Sequence, residues 1–139
     1  GLIKLMDKAG IKNKEITTMH AGFLLGPRIN AAGRIGSSEK SFELLMTESL
    51  AEAEVLAGQL NEDNRLRQQI EAKTLSEALA KIDREINFKQ HRVIVLYKDD
   101  WHPGVIGIVA SRIVERFYRP TILLSSKEGG ATFKIISAW

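Results

Sequence analysis

The sequence has 139 residues, of which 44% are hydrophobic and 27% are charged, and its formal net charge is +3. This balance indicates one or two small globular units rather than a disordered tail, and it permits a polyanionic partner without requiring one. The absence of cysteine excludes disulfides and thiolate metal sites. No apolar run approaches the ~20 residues that span a bilayer, so we expect no membrane partner.

Residues 1–49 are predicted to form short helices separated by turns. The first helix ends near Gly10, which suits a C-terminal cap. A second helix covers about residues 13–25, with an asparagine at its start, and a third begins at one of the two serines at 37–38. The apolar positions of the first and third helices are Leu2, Leu5, Met6, Phe42, Leu45 and Met46.

Residues 26–36 read GPRINAAGRIG, which predicts a glycine-rich turn with no acidic residue. Glycines allow the main chain to approach a ligand closely, and the guanidinium groups of Arg28 and Arg34 match phosphate oxygens. Asn30 can donate to and accept from a base or sugar edge. The alternative interpretation is a structural turn with solvated arginines. The stretch lacks the lysine–serine pair of a P-loop, so we do not expect nucleoside triphosphate binding.

Residues 50–86 are predicted to form one long helix, because they contain no proline and only one glycine, Gly58. Ser49 and Glu52 fit a capping box. The middle, NEDNRLRQQ at 61–69, has Leu66 as its only apolar residue and is expected to be exposed in a helix of roughly 50 Å that bridges two bodies. A coiled-coil arm is the alternative. The predicted apolar stripe is Leu56, Leu60, Ile70, Leu75, Leu79, Ile82 and Ile86.

The last part of the chain changes to a strand–helix–strand pattern. RVIVLY at 92–97 and TILLS at 121–125 are typical of buried strands, and GVIGIVASRIVERFY at 104–118 is typical of an amphipathic helix. A βαβ unit with few polar residues in its strands indicates a covered parallel sheet. The predicted fold class is therefore α/β.

A second group of candidate residues, DDWHPG at 99–104, follows the first strand, where parallel sheets place ligand sites. His102 can donate to a phosphate or bind a metal, and Ser111 and Arg112 lie on the following helix. The alternative is an ordinary hydrogen-bonding loop histidine. Asp99 and Asp100 do not predict a metal site, because adjacent carboxylates on an extended chain point apart and no third ligand is near.

Three stretches together resemble the RecJ family of single-stranded-DNA exonucleases, in the Asp-His-His (DHH) phosphoesterase superfamily. They are LGPRINAAGRIG (25–36), LNEDNRLRQQIE (60–71) and WHPGVIGIVASRIVERFYRPTILLS (101–125). The resemblance implies degradation of single-stranded DNA from the 5′ end with Mn²⁺ or Mg²⁺, in DNA repair and recombination in the cytoplasm. It also implies two domains that face each other across a cleft and are joined by a long helix.

The resemblance divides the chain into three parts. Residues 1–49 correspond to the helical C-terminal part of a DHH catalytic domain, 50–86 to the inter-domain helix and 87–139 to an incomplete DHH-associated α/β domain. The residues that it implies for contact with DNA are Arg28, Asn30 and Arg34 in the first domain and His102, Ser111 and Arg112 in the second.

The ligands of the superfamily's metal centre are missing from the sequence, which has no adjacent pair of histidines. The chain also begins with Gly1 rather than methionine. We therefore expect an internal piece of a longer nuclease, with no catalytic residue and no metal of its own, and no exonuclease activity when isolated. Positions 127–139 lack the arginine that the family carries there, and no family residue is assigned to them.

Four further expectations concern partners and alternatives. Single-stranded DNA is the expected partner, and apolar helix faces left uncovered by a missing catalytic core are expected to cause self-association. The resemblance leaves open a related phosphodiesterase of short oligonucleotides or cyclic dinucleotides. It also leaves open a catalytically inactive nucleic-acid-binding scaffold.

Overall fold

The computed structural model describes residues 1–11, 15–127 and 130–138, with side chains described up to position 126. The chain divides into two compact units, Gly1–Gln68 and Gln69–Trp139. One long helix contributes residues to both units. The three-part domain division made from the sequence remains a prediction.

The first unit is helical. It contains α1 (Leu2–Lys8), α2 (Thr18–His20), a π-helical segment (Ala21–Leu25), α3 (Gly26–Ile35), α4 (Glu39–Met46) and the first half of α5 (Leu50–Glu85). Its core is formed by buried side chains from all of these segments except α2, together with Ile11 after α1. The other core residues are Leu5, Leu25, Ala32, Leu44, Ala53, Leu56, Ala57 and Leu60.

Gly10 ends the first helix as predicted. Its φ of +78° is in the left-handed region that favours glycine. The amides of Gly10 and Ile11 donate to the carbonyls of Asp7 and Met6, which is the pattern of a Schellman cap. The predicted asparagine cap of the second helix lies outside the described residues, and α2 instead starts after Thr17, whose side chain accepts from the amide of His20.

The prediction of a turn at residues 26–36 is wrong, because Gly26–Ile35 is an α-helix. Pro27 occupies the first turn of α3, where its missing amide hydrogen is tolerated, and the preceding π-helical segment absorbs the break. Gly26 is required by a close approach, since a Cβ there would lie 3.0 Å from the carbonyl oxygen of Ala21. A Cβ at Gly33 or Gly36 would make only ordinary contacts, so Gly26 alone among the three has a close neighbour.

The third predicted helix is present as α4, but none of its three predicted apolar positions is in the core. Phe42, Leu45 and Met46 are exposed, and the buried residues are Ser41 and Leu44. The helix start is stabilised by Ser37, whose hydroxyl accepts from the amide of Glu39 at 3.2 Å.

The long helix is confirmed as one uninterrupted element of 36 residues. The predicted capping box is half formed: Ser49 Oγ accepts from the Glu52 amide at 3.3 Å, while the Glu52 carboxylate accepts from the hydroxyl of Thr47. The predicted exposure of the middle is wrong at Asn64, which is 4% exposed. One stripe is buried along the helix, and its positions are Ala53, Leu56, Ala57, Leu60, Asn64, Glu71, Thr74, Ala78 and Ile82.

The second unit contains the predicted βαβ arrangement. Strands β1 (Ile94–Tyr97) and β2 (Thr121–Lys127) are parallel and are connected through α6 (Ile106–Phe117). The strand β3 (Gly130–Ala138) adds to β2 in the antiparallel direction, so the sheet order is β1-β2-β3. The buried residues of α6 are Ile106, Val109, Ala110 and Ile113.

The expectation of a fully covered parallel sheet is only partly met. Along β1, Ile94 and Leu96 are buried, whereas Val95 and Tyr97 are exposed. This alternation is typical of a sheet with one packed face. Among the described residues, no helix has the length and apolar character needed to cross a membrane.

We expect Gly58→Ala to stabilise the chain by roughly 0.5–1 kcal/mol, because alanine is the better helix former and a Cβ at this position of α5 meets nothing within 4 Å. The matched control is Gly10→Ala, which also has open space but a positive φ, and which should destabilise the chain by about 1 kcal/mol. Thermal or urea unfolding followed by circular dichroism measures both. Equal effects of the two substitutions would contradict this account.

Candidate functional site

The six residues predicted to contact DNA are split between the two units. Arg28, Asn30 and Arg34 lie on α3 in the first unit, and His102, Ser111 and Arg112 lie on α6 and the loop before it in the second. The contacts of each group are therefore described within the unit to which it belongs.

The helical form of residues 26–35 determines which side chains share a face. Asn30 and Arg34 are four residues apart, so they lie on the same side of α3, and both are exposed. Ala31 and Ala32 are buried on the opposite side. Asn30 and Arg34 therefore form a small polar surface in which an amide and a guanidinium lie one helical turn apart.

Arg28 points away from that polar surface. Its Nε donates to Asn61 Oδ1 on α5 at 3.0 Å, and its Nη1 donates to the carbonyl oxygen of Leu24 at 2.6 Å. Partial burial lowers the pKa of Arg28 from its ordinary value, because water is removed from the charged group. These bonds connect the π-helical segment with α5, and they give Arg28 a structural task that the sequence did not reveal.

Glu77 on α5 organises the loop between β1 and α6. Its Oε2 accepts from Lys98 Nζ at 2.9 Å and from Trp101 Nε1 at 2.9 Å. The hydrogen bond from Lys98 is the largest cause of the lowered pKa of Glu77, and the bond from Trp101 adds to it. Lys98 also contacts Asp100 at 3.1 Å. Because Trp101 is buried, its indole fixes the loop at the residue directly before His102.

His102 has a defined orientation within this loop. Its Nδ1 accepts from the amide of Gly104 at 3.1 Å, so in the neutral ring the proton lies on Nε2. The residue also lines a cavity of about 200 Å³ whose other lining residues are Ile70, Lys73, Thr74, Glu77, Asp100 and Trp101. His102 can therefore act as a hydrogen-bond donor through Nε2.

Ser111 and Arg112 are neighbours on α6 but have different contacts. The Ser111 hydroxyl donates to the carbonyl oxygen of Gly107 at 3.1 Å and is exposed. Arg112 Nη2 lies 2.5 Å from Glu71 Oε1 on α5. The Glu71 side chain is only 4% exposed, whereas that of Arg112 is 55% exposed. The two side chains form an ion pair in which Glu71 Oε1 accepts no hydrogen bond of normal geometry from the described residues, and much of the Arg112 side chain is open to solvent.

The described residues contain no group of three or more His, Cys, Asp or Glu side chains that could hold a metal ion. Asp99 accepts from Ser126 Oγ at 2.5 Å and from the hydroxyl of Tyr97, and these two bonds lower its pKa. Asp100 pairs with Lys98. The part of the chain that the structure describes therefore offers no set of ligands for a divalent metal centre.

The sequence interpretation missed Asn61, Glu71, Glu77, Lys98 and Trp101, which hold the predicted site residues in place. The burial of Glu71 could have been predicted from helical spacing, because positions 71, 74, 78 and 82 lie on one side of the helix and all four are buried. Nothing in the sequence pairs Glu77 with Lys98 or Trp101, which follow it by more than 20 residues.

Glu77→Gln is expected to destabilise the chain at neutral pH, and the loss should shrink as the pH falls. The pKa of Glu77 is depressed in the folded state, so the stabilisation that depends on its charge is complete above the unfolded value of about 4.3 and is lost as the pH falls through the folded value. Urea unfolding of both proteins between pH 7 and pH 3 measures the difference. All other acids titrate in both proteins, so a difference that does not change with pH would contradict the assigned role.

No protein-family model matches the chain. Curated relatives do match, and each is called "Single-stranded-DNA-specific exonuclease RecJ". The protein of Bacillus subtilis (strain 168) is 40% identical over 128 residues, which is 92% of this chain and 16% of the relative. The protein of Escherichia coli (strain K12) is 37% identical over 133 residues, which is 94% of this chain and 23% of the relative.

Solved RecJ structures have the same fold over most of this chain. The crystal structure of RecJ from Thermus thermophilus in complex with Mg²⁺ matches 88% of this chain and 19% of its own length, with a TM-score of 0.76 and 37% identity. A structure of exonuclease RecJ bound to manganese matches 87% of this chain and 29% of its own length, with a TM-score of 0.75 and 38% identity.

Sequence and fold therefore agree on one assignment, although the chain spans only 16% of the B. subtilis relative and 23% of the E. coli relative. The identities of 35–40% extend over more than nine-tenths of the chain, and the structural matches cover nearly the same share. This chain belongs to the RecJ family and matches one segment of its longer members.

Proposed function

We propose that the chain is the part of a RecJ-like exonuclease that supplies contacts to single-stranded DNA, which the whole enzyme hydrolyses from the 5′ end. The observation that carries the proposal is the 40% identity, over 92% of this chain, to a protein named as a single-stranded-DNA-specific exonuclease. The substrate implies a role in DNA repair and recombination, and in bacteria such as those of the relatives it implies the cytoplasm.

The proposed DNA contacts are polar groups that can bind a phosphate or a base edge. Asn30 and Arg34 contribute one surface on α3, and Arg28 contributes the N–H groups that Asn61 and Leu24 do not occupy. In the other unit, the donors are Nε2 of His102 and the guanidinium of Arg112. The Ser111 hydroxyl would donate to DNA only after rotating away from the Gly107 carbonyl oxygen, to which its single proton is bonded. Guanidinium groups suit this role because their fork of donors matches phosphate oxygens.

We place the catalytic metal outside this segment. The neighbouring RecJ structures contain Mg²⁺ or Mn²⁺, and the described residues of this chain contain no suitable group of ligands. A divalent ion would supply hydroxide and charge neutralisation in the longer protein. The segment itself would bind and orient the DNA strand.

Exposed apolar side chains in the first unit fit a segment that packs against further protein. They include Leu2, Ile3, Ile16, Met19, Phe23, Phe42, Leu45, Met46, Leu50 and Val55. We propose that the remainder of the longer protein covers this surface, and that the isolated chain self-associates through it.

The function is tested by comparing the isolated chain with the longer protein that contains it, using 5′-labelled single-stranded DNA and manganese. The longer protein is expected to release mononucleotides, whereas the isolated chain should release none and bind DNA weakly at low salt. Faster hydrolysis of dinucleotides than of long DNA would favour a related phosphodiesterase instead. DNA binding without hydrolysis by the longer protein would favour a scaffold.

Arg34→Ala in the longer protein is expected to weaken binding to single-stranded DNA and to reduce the slope of log K against log salt by about 0.7, the value for one lost phosphate contact. Arg28→Ala should in addition lower the melting temperature, since it removes the bonds to Asn61 and to the Leu24 carbonyl. The matched control is Arg65→Ala, an exposed cation on α5. Fluorescence anisotropy over a salt series measures the slope, and an unchanged slope in Arg34→Ala would contradict the assignment.

A further inference from the structure

The ion pair between Glu71 and Arg112 joins two residues with very different exposure. Glu71 lies on the buried stripe of α5 with its side chain only 4% exposed, and Arg112 on α6 is 55% exposed at 2.5 Å from it. An ionised carboxylate in such a position requires a partner, because burial removes the water that would otherwise stabilise its charge. The contact is an ion pair rather than a directed hydrogen bond, because Glu71 Oε1 accepts no hydrogen bond of normal geometry within the part of the chain that the structure describes. Glu71 therefore restrains the near side of the Arg112 guanidinium through charge.

More than half of the Arg112 side chain is exposed, so its guanidinium can reach a ligand. Arginine has five N–H donors in a rigid planar fork, and the contact with Glu71 is made through Nη2. A long side chain that is already ordered loses less conformational entropy when it binds. The pair thus combines a buried negative charge with an exposed set of donors that it holds close by.

We propose that Glu71 is a positioning residue, which orders Arg112 for contact with a phosphate of single-stranded DNA. This inference rests on the proposed function, because it takes DNA as the ligand of Arg112. Glu71 itself does not touch DNA, since its carboxylate is buried and would repel a phosphate. Its contribution is to hold the guanidinium in the orientation that binds.

The test is a double-mutant cycle in the longer protein, with Glu71→Gln, Arg112→Ala and the combination of both. Glu71→Gln keeps the size of the side chain but removes its charge. It should lower the affinity for single-stranded DNA by about threefold to tenfold in the otherwise unchanged protein. In the Arg112→Ala background the same change should have no further effect on affinity or on the salt slope.

Two further variants separate positioning from stability. Glu71→Asp keeps the carboxylate and should recover part of the lost affinity, which also provides a readout if Glu71→Gln folds poorly. Glu62→Gln removes the same charge from an exposed position on α5 and should leave DNA affinity unchanged. Melting temperatures measured in parallel show whether a loss of affinity follows a loss of folded protein.

The outcomes distinguish failure of this inference from failure of the proposed function. If Arg112→Ala binds DNA with unchanged affinity and salt slope, Arg112 does not contact DNA and its positioning by Glu71 is wrong as well. If Arg112→Ala weakens binding but Glu71→Gln does not, the DNA contact stands and the positioning role is wrong. Tighter binding by Glu71→Gln would show that Glu71 competes with phosphate, and it would overturn the inference.

Discussion

The burial of polar side chains along one stripe of α5 is the constraint on which the candidate site depends. Alanine and leucine occupy this stripe near the start of the helix, and alanine and isoleucine occupy it near the end, but its middle contains Asn64, Glu71 and Thr74. A buried polar group is costly unless it is paired. Arg67 therefore donates to Asn64 Oδ1 at 3.3 Å, and Arg112 pairs with Glu71 at 2.5 Å.

A second carboxylate of α5, which is only partly buried, also orders residues that are distant in sequence. Glu77 is only six residues after Glu71, and it accepts from both Lys98 and Trp101 in the loop that carries His102. Glu71 thus restrains Arg112, and Glu77 restrains the loop that carries His102. Glu77 does so through two hydrogen bonds from cationic and N–H donors, whereas Glu71 acts through its charge.

The glycine-rich stretch shows how secondary structure changes the interpretation of a motif. As a turn, residues 26–36 would bring both arginines to one ligand. As the helix Gly26–Ile35, they separate Arg28, which bonds to Asn61, from Arg34, which shares an exposed face with Asn30. Both arginines are suited to phosphate, but in the helix Arg28 bonds to the protein and only Arg34 lies on the exposed face.

The sequence by itself determined the family, the α/β class, the long helix, the βαβ order and the cap at Gly10, because these follow from local spacing, breakers and long motifs. Only the tertiary structure decided that residues 26–35 are helical, that Asn64 is buried and that Phe42 is exposed. It also decided which residues hold Arg28, His102 and Arg112. The reason is physical: burial and the partners of a charge depend on segments that meet in space, and a linear pattern does not contain those contacts.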